Sequence, residues 1–290
     1  MVSGQQTKET RSATYINTTG LVLRETAYRE SSKILTVLTG GEGKLTVTAH
    51  GAVRRNSKLA AATQLLAFSE MTLYSRRDRW TLTEARSIEQ FIGLRDDVTL
   101  LALGSYFAEL TEAVADEDSQ SPELLPLCLN ALFALSEKLK EPGYVKPAFE
   151  LRLMTASGFT PLIGHCSMCG QKAPDCVTLD LLGGTIRCAG CSSRDTSPRL
   201  QGNRGNAAIH EPGEAGKVQL SKGALEAARY IISCEAKKLF SFRLGGDALK
   251  ELSVAAEGFL LAQLDRSFRT LEFFRQVNMG IYKQNFEDMG

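Results

Sequence analysis

The chain has 290 residues, 43% of them hydrophobic and 23% charged, which is the make-up of a folded globular protein and excludes a disordered or fibrous one. No run approaches the roughly 18 consecutive apolar residues that a membrane helix needs. Residues 1–18 are polar and lack the apolar stretch of a secretory signal, so the expected compartment is the cytoplasm, with no membrane partner. The formal net charge of +1 hides a division: residues 1–86 hold 13 Lys and Arg against 7 Asp and Glu, and residues 87–290 hold 21 against 26. A basic leading part on a slightly acidic body points to an anionic partner for the first part alone, although a solvated surface can show the same imbalance.

From Thr19 to Arg86 the apolar residues recur with the short period of strands. Leu21 and Leu23 alternate with Val22 and Arg24; Ile34, Thr36 and Leu38 follow, then Leu45, Val47 and Ala49, then Met71 and Leu73, then Trp80 and Leu82. Gly40-Gly41-Glu42-Gly43 reads as a hairpin turn, because glycine adopts positive φ cheaply, and Arg76-Arg77-Asp78 reads as another. About five strands in this span suit a small Greek-key barrel of the OB type. Residues 59–66 form a connector between the third and fourth strands, and residues 1–18 a flexible tail.

Past Gly93 the period lengthens. Leu100, Leu103, Phe107, Leu110 and Val114 mark a helix that Asp96 or Asp97 can cap. Pro122 opens a second helix, with Leu125, Cys128, Leu132 and Leu135; Pro147 opens a third, with Phe149, Leu151 and Met154, ended by Gly158. Residues 192–219 are rich in Gly, Ser, Asn, Arg and Pro and read as a mobile loop. Helical spacing resumes from Ser221 to Phe240, and a last long helix runs from Asp247 to Val277. The fold class is α+β multidomain: an OB-fold barrel over 19–86, a helical domain over 87–158 and 220–290, and a four-cysteine zinc-finger module with its loop inserted at 159–219.

The seven cysteines are an odd count without a secretory signal, which argues against a disulfide framework. Cys166-Ser167-Met168-Cys169 and Cys188-Ala189-Gly190-Cys191 form two CxxC pairs with 18 residues between them. Two such knuckles can turn four thiolates onto one tetrahedral Zn2+, and four protein ligands leave no position open for water, so one structural zinc per chain is expected. His165 and Cys176 are the alternative ligands. Cys128 and Cys234 fall on apolar helical faces and belong to the core.

The second candidate is a surface for single-stranded nucleic acid. Arg24, Lys33, Lys44, Arg54, Arg55 and Lys58 fall on strands and loops that an OB-type barrel brings together. Aromatic residues for base stacking are sparse (Tyr28, Phe68, Tyr74 and Trp80, the last equally suited to the core), so binding should be dominated by the phosphate backbone and sensitive to salt. Signals for catalysis are weak. Gly43-Lys44-Leu45 lacks the spacing and the hydroxyl of a phosphate loop, His50, His165 and His210 are scattered, and Asp116-Glu117-Asp118 reads as a solvated helix end.

The order of barrel, helices, CxxC pairs and helices resembles the RecO family of recombinational repair proteins, over about residues 20–274. The resemblance rests on Gly20-Leu21-Val22-Leu23-Arg24, Tyr28-Arg29-Glu30-Ser31-Ser32-Lys33, Gly43-Lys44-Leu45, and Gly51-Ala52 through Ser57-Lys58-Leu59. It continues in Tyr106-Phe107-Ala108-Glu109-Leu110, Phe149-Glu150-Leu151-Arg152-Leu153, Gly158-Phe159-Thr160-Pro161, and Gly183-Gly184 before the second cysteine pair. The resemblance implies a non-catalytic protein that binds single- and double-stranded DNA and anneals complementary strands. It also implies partnership with RecR, contact with the acidic tail of single-stranded DNA-binding protein, and indirect service to RecA, in a bacterial cytoplasm at the nucleoid. The tail contact is expected in residues 87–290, where Arg266, Arg269, Phe273, Phe274 and Arg275 combine basic and apolar groups. Val53 and His50 depart from the basic residues common in the family, and the loop at 192–219 is longer than usual. Some members lack the cysteines, so the metal would serve structure and not DNA processing. The rivals are a zinc-containing nuclease or RNA-modifying enzyme with an OB domain, and a transcriptional zinc-ribbon adaptor. A closed four-cysteine site without a carboxylate constellation counts against the enzyme.

Overall fold

The computed structural model describes residues 14–77, 79–117, 120, 122–172, 175–193 and 216–287, with side chains as far as 278. In chain order the strands and helices are β1 (Thr14–Tyr28), β2 (Ser32–Thr39), β3 (Lys44–Ala49), β4 (Phe68–Arg76), β5 (Arg79–Glu89), α1 (Val98–Val114), α2 (Leu124–Ser136) and α3 (Pro142–Ala156). They continue as β6 (Leu162–Cys166), β7 (Cys176–Asp180), β8 (Thr185–Cys188), α4 (Ala189–Ser192), β9 (Lys217–Ser221), α5 (Lys222–Ser233), α6 (Gly246–Leu264) and α7 (Arg269–Glu287). They form two compact units, residues 1–136 with 270–290 and residues 137–269, a division that cuts through both segments grouped as helical from the sequence.

In the first unit β1 to β5 close into a barrel in the order β1-β2-β3-β5-β4. The ladders are antiparallel except where Val47 and Thr48 of β3 lie parallel to Trp80 and Thr81 of β5. β1 serves two neighbours: its first half pairs with β4 from Thr14 to Leu21 and its second half with β2 from Gly20 to Tyr28. Residues 14–18, expected in the tail, are therefore strand, while residues 1–13 lie outside the described residues. Only Ile16 in that stretch packs against the barrel core, too little apolar signal to reveal a period. The interior is filled by Val22, Leu35, Val37, Leu45, Val47, Met71, Leu73 and Leu82. Trp80 packs against this core, which settles the alternative left open for it.

Leu21, Val22 and Leu23 are all buried, where alternation was expected. The ladder shifts register between Val22 and Arg24, and α1 packs on β1, so both faces of the strand are covered there. Gly20 is required by close approach, since a Cβ there would stand 2.4 Å from Val37 Cγ1. Asp97, one of the two predicted caps, accepts hydrogen bonds from the N–H groups of Thr99 and Leu100 and starts α1. Helix α7 docks on α1 through Thr270, whose N–H donates to Glu109 Oε2 at 3.1 Å.

In the second unit the sheet runs β6-β8-β7-β9, beside α5 and α6, on which α3 packs. Pro142, not Pro147, opens α3; Pro147 lies inside the helix and is buried there. Buried Lys146 of α3 clasps Glu150 at 2.7 Å and Glu257 of α6 at 2.6 Å. Burial alone would lower the Lys146 pKa, yet the two carboxylates outweigh it and raise the pKa above the usual lysine value. The single helix expected over 247–277 is two, because Asp265 turns left-handed (φ 46°, ψ 44°) and ends α6. β9 starts at 217 inside the expected loop, whose residues 194–215 lie outside the described residues.

Gly93 gives a direct test of the packing in the first unit. A Cβ there would stand 2.2 Å from the Ser136 carbonyl oxygen at the end of α2. Gly93→Ala should lower unfolding free energy by about 1–3 kcal/mol in urea titration. Gly41→Ala, which meets nothing within 4 Å, should stay within about 0.5 kcal/mol of the parent.

Candidate metal centre and nucleic-acid interface

Two knuckles converge in the second unit because of strand pairing. β6 and β8 run parallel with Cys166 opposite Ile186, so the chain leaves β6 at the first cysteine pair beside the strand that ends at Cys188. The β7–β8 hairpin turns at Gly184 (φ +60°), and the Asp180 carboxylate accepts from the N–H groups of Leu182 and Gly183. Glycine at 170 (φ +74°) follows the first pair, and its N–H donates to the Cys166 carbonyl at 2.9 Å. The short α4 then places Cys191 one turn beyond Cys188.

The sulfurs of Cys166, Cys169, Cys188 and Cys191 lie within 4.8 Å of one another and could hold a metal ion. Cys169 Sγ and Cys188 Sγ are 3.8 Å apart. Four thiolates at about 2.3 Å from a tetrahedral ion stand roughly 3.8 Å apart by geometry, so the cluster fits a metal of that radius. Cys166 and Cys188 are buried, Cys191 is half-buried and Cys169 is exposed. The N–H groups of Cys169 and Cys188 point at Cys166 and hold its thiol down at about 6, against the cost of burial. Hydrogen bonds with the thiols of Cys188 and Cys169 push Cys191 up to about 12.

His165 and Cys176 are not among the four clustered residues. Cys128 is buried against Thr111 Oγ1, and burial pushes its thiol up to about 12. Cys234, expected in the core, is the half-buried C-cap of α5. The sequence reading missed Arg229 of α5. Its guanidinium donates to the Ile163 carbonyl at 2.7 and 2.8 Å and to the Gly164 carbonyl at 3.2 Å, bracing β6 just ahead of the first knuckle. No spacing rule connects positions 163 and 229, so only the fold could reveal it.

The six basic residues assigned to nucleic acid divide into two sets. Lys33 is mostly buried, bonded to the Glu25 carboxylate and to the Thr63 carbonyl. Lys44 Nζ donates to the Glu112 carbonyl at 2.9 Å, and Arg24 pairs with the Glu112 carboxylate at 2.9 Å. These three brace the barrel against its connector and against α1. Arg54, Arg55 and Lys58 are exposed on the β3–β4 connector and make no ion pair among the described residues. That connector is a series of turns, with Arg54 N–H donating to Gly51 O, Ser57 N–H to Arg54 O and Ala60 N–H to Ser57 O. Val53 N–H donates to Ser31 O, which sets the connector beside the β1–β2 turn and Arg29. Of the residues named for a tail contact, Phe274 is buried and Phe273 is half exposed.

The first unit is a closed five-stranded barrel with exposed arginines, and the second carries a four-cysteine cluster that could hold a metal ion. Residues 14–91 match the family described as Recombination protein O N terminal, and residues 95–272 match Recombination protein O C terminal. The DNA repair protein RecO of Acetivibrio thermocellus is 28% identical over 264 residues, covering 91% of this chain and 98% of that one. Those of Symbiobacterium thermophilum and Desulforudis audaxviator are each 30% identical, over 89% and 90% of this chain and 95% and 97% of theirs. The chain belongs to the RecO family of DNA repair proteins. No described helix is long and apolar enough to cross a membrane.

Serine at Cys166, Cys169, Cys188 or Cys191 should reduce bound metal, read by elemental analysis of purified protein, and lower the melting temperature; serine at Cys176 should do neither. Protons compete with the metal for thiolates, so a chelator should strip the ion faster at pH 5 than at pH 8. Arg229→Ala keeps all four ligands yet should weaken metal affinity by roughly tenfold, measured by chelator competition.

Proposed function

We propose that this chain is a non-catalytic DNA repair and recombination mediator whose OB-type barrel binds single-stranded DNA, and duplex DNA as well, through the phosphate backbone. The observation that carries the reading is the exposed, unbraced set Arg54, Arg55 and Lys58 on the β3–β4 connector of a barrel with strand order β1-β2-β3-β5-β4. Guanidinium and ammonium groups that make no ion pair among the described residues are available to neutralise phosphates and release counterions. Arg24 stands 63% exposed at the side chain and can add to this surface beyond its bond to Glu112. Lys33 holds the connector at Thr63, and Lys44 holds α1 at Glu112.

Neutralising both strands at one basic surface lets complementary strands meet without repulsion, which is the physical basis of annealing. The four cysteines hold one structural Zn2+ whose role is to fix the second unit. In the bacterial cytoplasm, at the nucleoid, the second unit and the helices of the first supply surfaces for RecR and for the acidic tail of single-stranded DNA-binding protein. Together they help load RecA on coated single strands. Membership of the RecO family supports this reading of the partners, and the acidic tail needs the local basic rim of Arg266, Arg269 and Arg275, because residues 87–290 are acidic as a whole.

The combined Arg54→Ala and Arg55→Ala change tests the surface. The slope of log affinity against log salt for a single strand should become shallower by roughly 0.7 for each contact removed. Binding and annealing should both weaken, while zinc content and thermal unfolding stay near the parent's, since exposed arginines contribute little to stability. A double mutant with the parent's slope and annealing rate would show these arginines to be solvated charge.

A further inference from the structure

The β4–β5 hairpin carries a feature that the connector lacks. Tyr15 of β1 and Tyr74 of β4 stand opposite one another in direct register. Their ring centroids are 4.8 Å apart and the planes are tilted by 40°. Ile16 turns in against the barrel core, so Tyr15 turns out and is 67% exposed. Just beyond Tyr74 the ladder ends at the pair Arg76 and Arg79, with Arg77 in the turn at φ 52°. All three arginines are exposed and make no ion pair among the described residues. In sequence, the tip sets these three positive charges against Asp78 alone.

We propose that the Tyr15–Tyr74 pair, flanked by Arg76, Arg77 and Arg79, is a stacking step for the bases of unpaired nucleic acid. The proposal rests on the barrel's reading as a DNA-binding domain and adds a second contact, apart from Arg54, Arg55 and Lys58. An exposed ring beside guanidinium groups offers a base a π face and its phosphate a cation, and it takes any base because every base has a π face. A duplex keeps its bases stacked on each other, so it can engage the arginines and not the tyrosines. The step therefore favours single strands over duplex, while the arginines serve both. Further along the same outer face Asn17 is bonded to Thr72, and then Glu84 and the Glu70–Arg86 pair follow. Those carboxylates repel a phosphate chain and direct it toward the arginine tip. Trp80 cannot substitute, since it packs against the core.

The test is fluorescence anisotropy of a labelled oligothymidylate and of a duplex of equal length, with the full chain. Tyr15→Ala should bind the single strand about tenfold more weakly and the duplex within about twofold of the parent, with the melting temperature little changed. Tyr15→Trp should restore single-strand affinity, and its emission should be quenched by the oligothymidylate and not by the duplex, relative to a parent whose one tryptophan is Trp80. Alanine at Arg76, Arg77 and Arg79 together should weaken both substrates and flatten the salt dependence. Equal losses on both substrates for Tyr15→Ala, or no loss on either, overturn the stacking step. If the parent binds and the Arg54, Arg55 double mutant does not, while Tyr15→Ala binds normally, only this step falls. If the parent binds no single strand at all, the step and the reading beneath it fall together.

Discussion

Two parallel residue pairs, Val47 with Trp80 and Thr48 with Thr81, join β3 to β5 and close the sheet on itself. Closure removes the open edges that would otherwise template aggregation, and it encloses an apolar interior filled from Val22 to Leu82. It requires β1 to bend across two partners, which explains the bulge after Val22 and the glycine at position 20 where no Cβ fits. It also decides which segments stay outside. The β3–β4 connector is pinned to Ser31 and the β4–β5 hairpin ends in three arginines, so both basic segments project from a frame that is rigid beneath them.

The basic residues of this first part fall into two structural sets that sequence alone cannot separate. Arg24 and Lys44 reach Glu112 of α1, and Lys33 reaches Glu25 and Thr63; these contacts hold the barrel's neighbours in place. Arg54, Arg55 and Lys58 make no ion pair among the described residues. Exposed ion pairs contribute at most about 1 kcal/mol each, so stability does not account for the unbraced set, whereas affinity for a polyanion grows with each phosphate neutralised. In the second unit charge is handled differently, by burying Lys146 between two carboxylates that join α3 to α6.

Much of this was readable from the sequence where a short-range rule applied. The two CxxC pairs predict the sulfur cluster because the spacing is local and the ligand chemistry narrow, and β3 and β4 follow from period-two burial, whereas β1 and β2 are buried on both faces over several residues. Asp97 as a cap is a rule of adjacent residues. The misses have physical reasons. Thr14 to Thr18 hold one inward residue, Ile16, and so carry no period. Pro147 looked like a helix start because nothing local reveals that Pro142 already opens α3. The break at Asp265 depends on a left-handed backbone adopted without glycine. Arg229 and the Tyr15–Tyr74 pair act across 66 and 59 positions of chain, and only the folded ladders bring them to their partners.

The central claim is that single-stranded DNA meets the barrel and not the cysteine-bearing unit. Backbone hydrogen exchange of the full chain, with and without oligothymidylate, tests it most directly. The account predicts slower exchange on binding in residues 50–58, in the β1–β2 turn and at the β4–β5 hairpin, with residues 137–269 unchanged. Protection confined to residues 137–269, with the barrel loops exchanging as freely as before, would contradict it.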